Sequence, residues 1–168
     1  MDERPMGLEE LLAELESLLR DELSAYTHLV NRLPFKIALI KKNRAAQLER
    51  LIAQETGEME VLSGLDLRRA EVSRAIAQQL PQPAQSLKEL LPQLSESWRN
   101  RLAPLGDELR AKVEELQAGN QTSKELLALS IDYANYTLEV IAQAATPEGM
   151  VYDGSVSEAP SLLLDRRA

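Results

Sequence analysis

The sequence predicts an all-α fold, an elongated antiparallel bundle of three long helices with a short irregular helical segment and a C-terminal tail. Leu, Ala, Glu, Gln and Arg dominate its 168 residues, and only 4% of the residues are aromatic. The long unbranched side chains among these lose little rotamer freedom in a helix. Apolar residues also recur at spacings of three and four over long stretches, which is the period of a helix face.

The first predicted helix carries a near-heptad apolar stripe that suits side-by-side packing in a bundle. Pro34 lacks an N–H group and its ring clashes with the preceding turn, so we expect a kink or break near Val30 to Leu33. The basic segment 41–44 then predicts a turn. The stripe consists of Leu8, Leu12, Leu15, Leu19, Glu22, Tyr26, Leu29, Leu33, Lys36 and Ile40.

A second helix is predicted from about Ala45 to Gln79, because apolar residues continue at helical spacing and no proline intervenes. Gly57 and Gly64 lie inside it, and each costs up to about 1 kcal/mol of helix propensity relative to alanine. The segment Pro81-Gln82-Pro83 ends the helix, because proline cannot continue the hydrogen-bond ladder.

An irregular connection is predicted between Pro81 and Pro104. The spacing of Ser86 and Glu89 is that of a capping box, which predicts a short helix there. The third long helix is predicted to start near Pro104 to Asp107 and to run to about Ala145, a length of roughly 60 Å. We expect one helical bundle domain at residues 1–149 and a flexible tail at residues 150–168.

Charge and composition exclude several classes of function. The net charge of −8 argues against binding to nucleic acid and to anionic membrane surfaces. No apolar run approaches the roughly 18 residues of a membrane span, and the first ten residues do not form a secretory signal. The absence of cysteine excludes disulfides and thiolate chemistry. These features predict a cytoplasmic protein.

No catalytic constellation is visible in the sequence. His28 is the single histidine, and one histidine beside an apolar stripe is typical of an ordinary bundle or surface residue. The Glu-x-x-His pairs of di-metal bundles, the glycine-rich phosphate loops and the spacings of zinc ligands do not occur. We therefore predict no catalytic residue, no metal site and no cofactor. A binding protein remains.

The third predicted helix changes character partway along. After about residue 126 it carries two apolar stripes whose centres lie roughly 130° apart at about 100° per residue. Such a helix requires covering on two sides. Either the bundle itself supplies both neighbours, from the first helix and the segment 87–102, or one neighbour comes from another molecule. The first stripe is Leu127, Ile131, Ala134, Leu138 and Ile141; the second stripe is Leu126, Leu129, Tyr133, Tyr136 and Val140.

Two polar residues, Asn120 and Ser123, occupy positions where an apolar stripe would continue. A polar residue in the seam of a bundle often fixes the register between helices at some expense of stability. We interpret both residues in this way.

The order of short motifs along most of the chain resembles the FlgN family of flagellar export chaperones. Single motifs of this kind recur by chance among helical proteins, and it is the ordered set that carries the resemblance. The third helix resembles the last long helix of the family, the segment around residue 40 resembles its first helix–helix connection, and the tail resembles its tyrosine-containing end. The matching residues are Asn120-Gln121, Leu126-Leu127, Ser130-Ile131, Tyr133, Thr137-Leu138, Ile141, Tyr152-Asp153-Gly154, Ala38 to Asn43, Leu48 to Leu51, Glu55, Met59, Leu62 and Arg69.

The resemblance implies a cytoplasmic, helical, non-enzymatic chaperone without a cofactor. Such proteins bind terminal helical segments of hook–filament junction (hook-associated) proteins, prevent their premature assembly and deliver them to the type III export gate. For this chain the resemblance implies that Tyr152 docks at the export gate, whereas the sequence alone also allows an ordinary tail residue or an aromatic residue that folds back to seal the end of the bundle. The residues implied in client binding are those of the second stripe, Leu126, Leu129, Tyr133, Tyr136 and Val140.

Three alternatives stay open from the sequence. The first alternative is a coiled-coil scaffold or homodimerisation module without an export client, since heptad spacing alone predicts self-association. A helical bundle that binds a small ligand is another class, although few polar groups point inward. Within the chaperone interpretation, residues Ser161 to Leu164 form either an incidental leucine run or a lid that covers the second stripe.

Overall fold

A computed structural model describes residues 6–145, which form four α-helices and one 3₁₀ turn without any strand in that range. The all-α prediction is thereby confirmed. The chain forms two compact units, residues 1–131 and 132–168, and the described part of the second is the last turns of the long final helix. The predicted boundary at residue 149 lies outside the described residues. The elements are α1 (Leu8–Lys41), α2 (Ala45–Gln78), α3 (Leu87–Leu90), the 3₁₀ turn (Leu91–Gln93) and α4 (Glu96–Ala145).

Helix α1 forms because its predicted stripe is buried along its whole length. The backbone N–H of Gly7 donates to Glu10 Oε2 at 3.1 Å, which satisfies one free donor at the helix start. Of the ten stripe residues, Leu8 and Tyr26 are half-buried and the other eight are buried. Each buried leucine contributes roughly 1.5–3 kcal/mol of transfer free energy, so tertiary packing rather than propensity holds the helix.

Of the two outcomes predicted at Pro34, a break is wrong, because α1 continues through this residue to Lys41, and a kink stays a prediction. Proline inside a helix costs about 3 kcal/mol. Leu33 and Lys36, on either side of it, are both buried, and Pro34 itself is exposed on the outer face. Burial of the residues on both sides outweighs the local penalty, so the helix does not stop.

The turn between α1 and α2 lies where the sequence predicts it. Asn43 has a φ of 52°, in the left-handed region that asparagine tolerates better than most residues. Helix α2 then returns antiparallel to α1 and ends at Gln78, one residue before the predicted end. Four ion pairs between the two helices show this antiparallel arrangement, because residues near the start of α1 pair with residues near the end of α2. The pairs are Glu14–Arg68, Glu22–Arg69, Arg32–Glu58 and Lys36–Glu55.

The predicted start of the third long helix near Pro104 to Asp107 is also wrong, because α4 begins at Glu96. The Ser95 hydroxyl accepts a hydrogen bond from the backbone N–H of Trp98 at 3.5 Å and so caps the helix start. Pro104 is accommodated within the helix, since Leu102 is fully buried beside it. The short helix predicted at Ser86 is confirmed, with the Ser86 hydroxyl accepting from the N–H of Glu89 at 3.3 Å.

Within the first unit, α4 runs parallel to α1. The Trp98 indole N–H donates to Glu9 Oε2 at 2.8 Å, and Lys36 Nζ donates to Asn120 Oδ1 at 3.0 Å. A large apolar cluster joins α1, α2, the segment 80–94 and α4 at the end where α1 begins, and a smaller cluster lies further along the helices. The smaller cluster consists of Leu29, Val30, Leu33, Leu62 and Leu116. No helix among residues 6–145 is long and apolar enough to cross a membrane.

Candidate functional site

The register between α1 and α4 determines which part of α4 can pack on α1. Contacting residues of the two helices differ by 84 to 89 positions along the chain. Helix α1 ends at Lys41, which this offset places level with residues 125 to 130 of α4. Helix α1 therefore supplies packing partners for α4 only up to about that point.

The second stripe is largely exposed to solvent. Leu126 is half-buried, and the other four side chains are between 45% and 72% exposed. Tyrosine buries roughly 150–250 Å² when covered, so the two tyrosines alone present roughly 200–350 Å² of mostly apolar surface. A soluble monomer rarely exposes a contiguous apolar patch much larger than a few hundred Å². The exposed residues are Leu129, Tyr133, Tyr136 and Val140.

The first stripe is exposed as well. Its four large residues are between 39% and 64% exposed, and from Ile131 to Ala145 every side chain is exposed except half-buried Thr137. The alternative in which the first helix and the segment 87–102 cover both stripes is therefore wrong for the described residues. Helix α1 ends level with residues 125 to 130 of α4, and Trp98 and Leu102, within the segment 87–102, are buried on the first turns of α4 itself.

The surface of α4 beyond residue 130 is almost uncharged. Between Ile131 and Ala145 the ionisable acids and bases are limited to Asp132 and Glu139, apart from the two tyrosines. An uncharged surface with two apolar faces suits packing against another amphipathic helix better than it suits binding a charged small molecule.

The polar seam residues adjoin a buried ionic cluster. Lys36 is buried, and its Nζ lies 2.5 Å from Glu55 Oε2 of α2 while it also donates to Asn120 of α4. Ser123 is buried, but its hydroxyl donates to the carbonyl of Gly119 at 2.9 Å within the same helix. Lys36 thus links three helices, and Asn120, which is itself exposed, contributes one hydrogen bond to that link, whereas Ser123 bonds only within α4.

The pKa values of two buried glutamates on α1 are shifted in opposite directions. A hydrogen bond from Arg20 lowers the pKa of Glu16, and Arg101 of α4 adds to this effect although burial opposes it. Burial raises the pKa of Glu22, and the hydrogen bond from Arg69 offsets only part of that rise. Both groups take part in contacts between helices, and neither lies on the two apolar stripes of α4.

Residues 6–145 contain no group of three or more His, Asp or Glu side chains that could hold a metal ion. His28 is exposed, in accordance with its interpretation as an ordinary surface residue. Tyr152 and the run from Ser161 to Leu164 lie outside the described residues, so the docking and lid hypotheses stay predictions.

Sequence reasoning missed that the first stripe is exposed in addition to the second, and that Glu22 and Lys36 of the α1 stripe have ion-pair partners on α2. Signals for both existed. Helix α4 has 50 residues and α1 has 34, so α1 is too short to pack along the whole of α4. Charged residues at stripe positions of a near-heptad helix also predict buried partners on the neighbouring helix, because an unpaired buried charge is costly.

Comparison with known protein families gives one finding that covers nearly the whole chain. The family model described as FlgN protein matches residues 6–159. Searches among curated proteins and among solved structures gave no match. The match includes every described residue and extends over Tyr152. The chain belongs to the FlgN family, whose members act as flagellar export chaperones and bind flagellar export substrates.

Proposed function

We propose that this protein is a cytoplasmic chaperone that binds terminal helical segments of hook–filament junction proteins and delivers them to the type III export gate. One observation carries the proposal: the second stripe of α4 is exposed over Leu129, Tyr133, Tyr136 and Val140 in a chain of the FlgN family. Client segments that later pack into a filament have apolar helical stripes of their own. Covering such a stripe would prevent its premature assembly.

Helix-in-groove packing is the recognition mode that best fits this surface. The second stripe steps by three and four residues from Leu126 to Val140, a span of about four helical turns. A client helix laid alongside would bury both tyrosine rings, whose hydroxyls can stay at the rim in contact with water. The first stripe gives α4 a second apolar face, so two client helices, or a hairpin of helices, would fit around it.

The binding free energy expected from one residue of the second stripe follows from the exposed fraction of its side chain. Leu129 is 65% exposed, and complete burial of a leucine contributes roughly 1.5–3 kcal/mol, so covering it contributes about 1–2 kcal/mol. Replacing it with aspartate should weaken binding at least five- to thirty-fold. Leu67 on α2 is 67% exposed and provides a matched control, since L67D has the same chemistry in a helix at almost the same exposure.

Calorimetric titration with terminal fragments of the hook–filament junction proteins from the same organism tests the proposal. We expect saturable one-to-one binding that L129D weakens and L67D leaves unchanged. Equal losses in both variants would mean that general destabilisation, not the second stripe, governs affinity. Absence of binding together with a stable homodimer in light scattering would favour the alternative, a homodimerisation module without a client.

Docking at the export gate is the second step of the proposal, and we assign it to Tyr152 on the resemblance to the family tail. The variant Y152A should bind client with unchanged affinity and lose binding of the chaperone–client complex to the isolated cytoplasmic domain of the gate. The variant Y152F keeps the aromatic ring but lacks the hydroxyl, so it separates the contributions of these two groups to gate binding. Loss of client binding in Y152A, or retention of gate binding, would contradict this assignment. No enzymatic activity is part of the proposed function.

A further inference from the structure

The acidic side chains beside the second stripe form a single row along α4. Glu125, Asp132 and Glu139 recur at intervals of seven residues. When the second stripe is written as the a and d positions of a heptad, these carboxylates occupy its g positions, roughly 80° from the centre of the stripe at about 100° per residue. Lys124, the only basic residue between positions 113 and 145, lies on the opposite face of the helix. The second stripe therefore has an acidic edge.

The other edge of the second stripe is neutral. Its e positions hold the small side chains of Ser130, Thr137 and Ala144. The Ser130 hydroxyl donates to the carbonyl of Leu126 and the Thr137 hydroxyl donates to the carbonyl of Tyr133, both at 2.9 Å. These hydroxyls are bonded to their own helix and bring no charge to the surface. Charge beside the second stripe is thus one-sided.

The carboxylates of the acidic edge have no cationic partner in the described part of the chain. Asp132 and Glu139 are exposed and make no hydrogen bond or ion pair with any residue in the range 6–145. Glu125 accepts a hydrogen bond from the Gln121 amide at 2.7 Å, which leaves its charge uncompensated. On α1, in contrast, the carboxylates that face neighbouring helices are paired with arginines, as in Glu14, Glu16 and Glu22.

The spacing of the acidic edge suits a helix better than it suits a single cation. Seven residues of helix span about 10 Å, so neighbouring carboxylates of the row are too far apart to share one ion. A helix packed alongside α4 presents its own edge residues at the same interval of seven. Cations at that interval could face all three carboxylates at once.

We propose that the helix bound by the second stripe carries Lys or Arg at seven-residue intervals along one edge of its own apolar stripe. This inference rests on the proposed function, because it names the class of client helix that the same surface selects. Charges at e and g positions set partner choice and orientation in helix pairs, since opposite charges attract and like charges repel. The acidic edge thereby distinguishes among apolar helices that the stripe alone would accept.

Three synthetic helical peptides of three heptads test the charge preference against the full chain. All carry leucine at a and alanine at d, and they differ only at g, which holds lysine, glutamine or glutamate. The g positions of two antiparallel helices face each other. In fluorescence anisotropy at low salt we expect the lysine peptide to bind about ten-fold more tightly than the glutamate peptide, with the glutamine peptide between them. At about 1 M salt the Debye length falls to about 3 Å, so the three affinities should converge.

Charge reversal on α4 attributes the preference to the acidic edge. The double variant D132K/E139K should favour the glutamate peptide over the lysine peptide. E108K/E114K makes the same change in net charge at two exposed residues nearer the start of the same helix, and should leave the preference unchanged. Equal responses of the two double variants would mean that net charge governs the preference, and would overturn the inference.

The variant L129D distinguishes failure of this inference from failure of the proposed function. We expect L129D to weaken binding of the lysine peptide and of a terminal fragment of a hook–filament junction protein. If all three peptides bind equally, or the lysine peptide does not bind, while the fragment binds and L129D weakens it, the charge inference is overturned and the proposed function stands. Peptide binding that persists in L129D would place the peptide elsewhere and overturn the inference. Fragment binding that persists in L129D would overturn both.

Discussion

Gly119 of α4 lies against the side chain of Leu33 of α1, and a single methyl group there tests the packing of the bundle. A Cβ atom on Gly119 would lie 2.3 Å from Leu33 Cδ1, 2.8 Å from Cδ2 and 3.0 Å from Cγ. Favourable carbon–carbon contacts have separations of about 3.5–4.0 Å. Leu33 is buried, so its side chain would have to move by roughly 1 Å within a packed cluster. Gly57 on α2, in contrast, has no atom within 4 Å of such a Cβ.

The magnitude follows from two opposing effects. Replacing glycine by alanine in a helix contributes about 1 kcal/mol of propensity at either position. Overpacking in a well-packed core costs about 1–3 kcal/mol, and only Gly119→Ala incurs it. We expect Gly57→Ala to raise the free energy of unfolding by up to about 1 kcal/mol. We expect Gly119→Ala to lower it by up to about 2 kcal/mol, so that the two variants differ by about 1–3 kcal/mol.

Urea unfolding followed by circular dichroism measures both values, provided that the dependence on denaturant is the same for each variant. A double-mutant cycle then attributes the effect to its cause. In a Leu33→Ala background the clash is absent, and Gly119→Ala should stabilise the protein as Gly57→Ala does. If Gly119→Ala stabilises the otherwise unchanged chain as much as Gly57→Ala, α1 and α4 are not in close contact at this point.

Three other predictions concern α1 and its partners. The lowered pKa of Glu16 means that this group stabilises the fold above the ordinary glutamate pKa and that this stabilisation is lost as pH falls through the folded-state pKa. The raised pKa of Glu22 means the opposite: its contribution to stability is present at low pH and is lost as pH rises through the folded-state pKa. In urea titrations E16Q should therefore destabilise more at pH 7 than at pH 4, and E22Q more at pH 4 than at pH 7; parallel profiles would contradict the assignment. Pro34→Ala should raise the free energy of unfolding by about 1–3 kcal/mol, because it restores a helix hydrogen bond, and an unchanged midpoint would refute that reasoning. Trp98→Phe removes the 2.8 Å hydrogen bond to Glu9 and should cost about 0.5–1.5 kcal/mol, a loss that Glu9→Gln should reproduce only in part.

Local periodicity was sufficient to predict α1 and α2. The stripe of α1 is buried nearly throughout, because a helix with a single apolar face can bury that face only by turning it toward the neighbouring helices. Even Glu22 and Lys36 fall on that face as predicted. The turn at Asn43 was predictable for a similar reason, since a short polar segment between two periodic stretches has few other conformations.

The predictions of a break at Pro34 and of a helix start near Pro104 failed because a local rule was applied without the packing that surrounds each proline. Pro34 and Pro104 would each end an isolated helix. In the fold, Leu33 and Lys36 beside the first and Leu102 beside the second are buried, and their contacts exceed the penalty. The extent of burial on both sides of a proline is a tertiary property, which periodicity alone does not report.

The exposure of α4 beyond residue 130 depends on register, which the sequence pattern does not contain. Two stripes on one helix indicate two neighbours but do not say where those neighbours end. The cross-helix contact between Lys36 and Asn120 sets how far along α4 the end of α1 reaches. Predicting that offset requires the pairing of specific side chains on distant helices. The candidate site was therefore identified as a pattern, and its exposure was learned from the structure.

Hydrogen–deuterium exchange of the protein, free and saturated with a terminal fragment of a hook–filament junction protein, tests the central claim most directly. The exposed turns of α4 should exchange quickly in the free protein, because exposed helix ends open with little free energy. The account predicts new protection confined to residues 126–141 on client binding, with α1 and α2 unchanged. Protection of α1 or α2 on client binding, with none at residues 126–141, would contradict it.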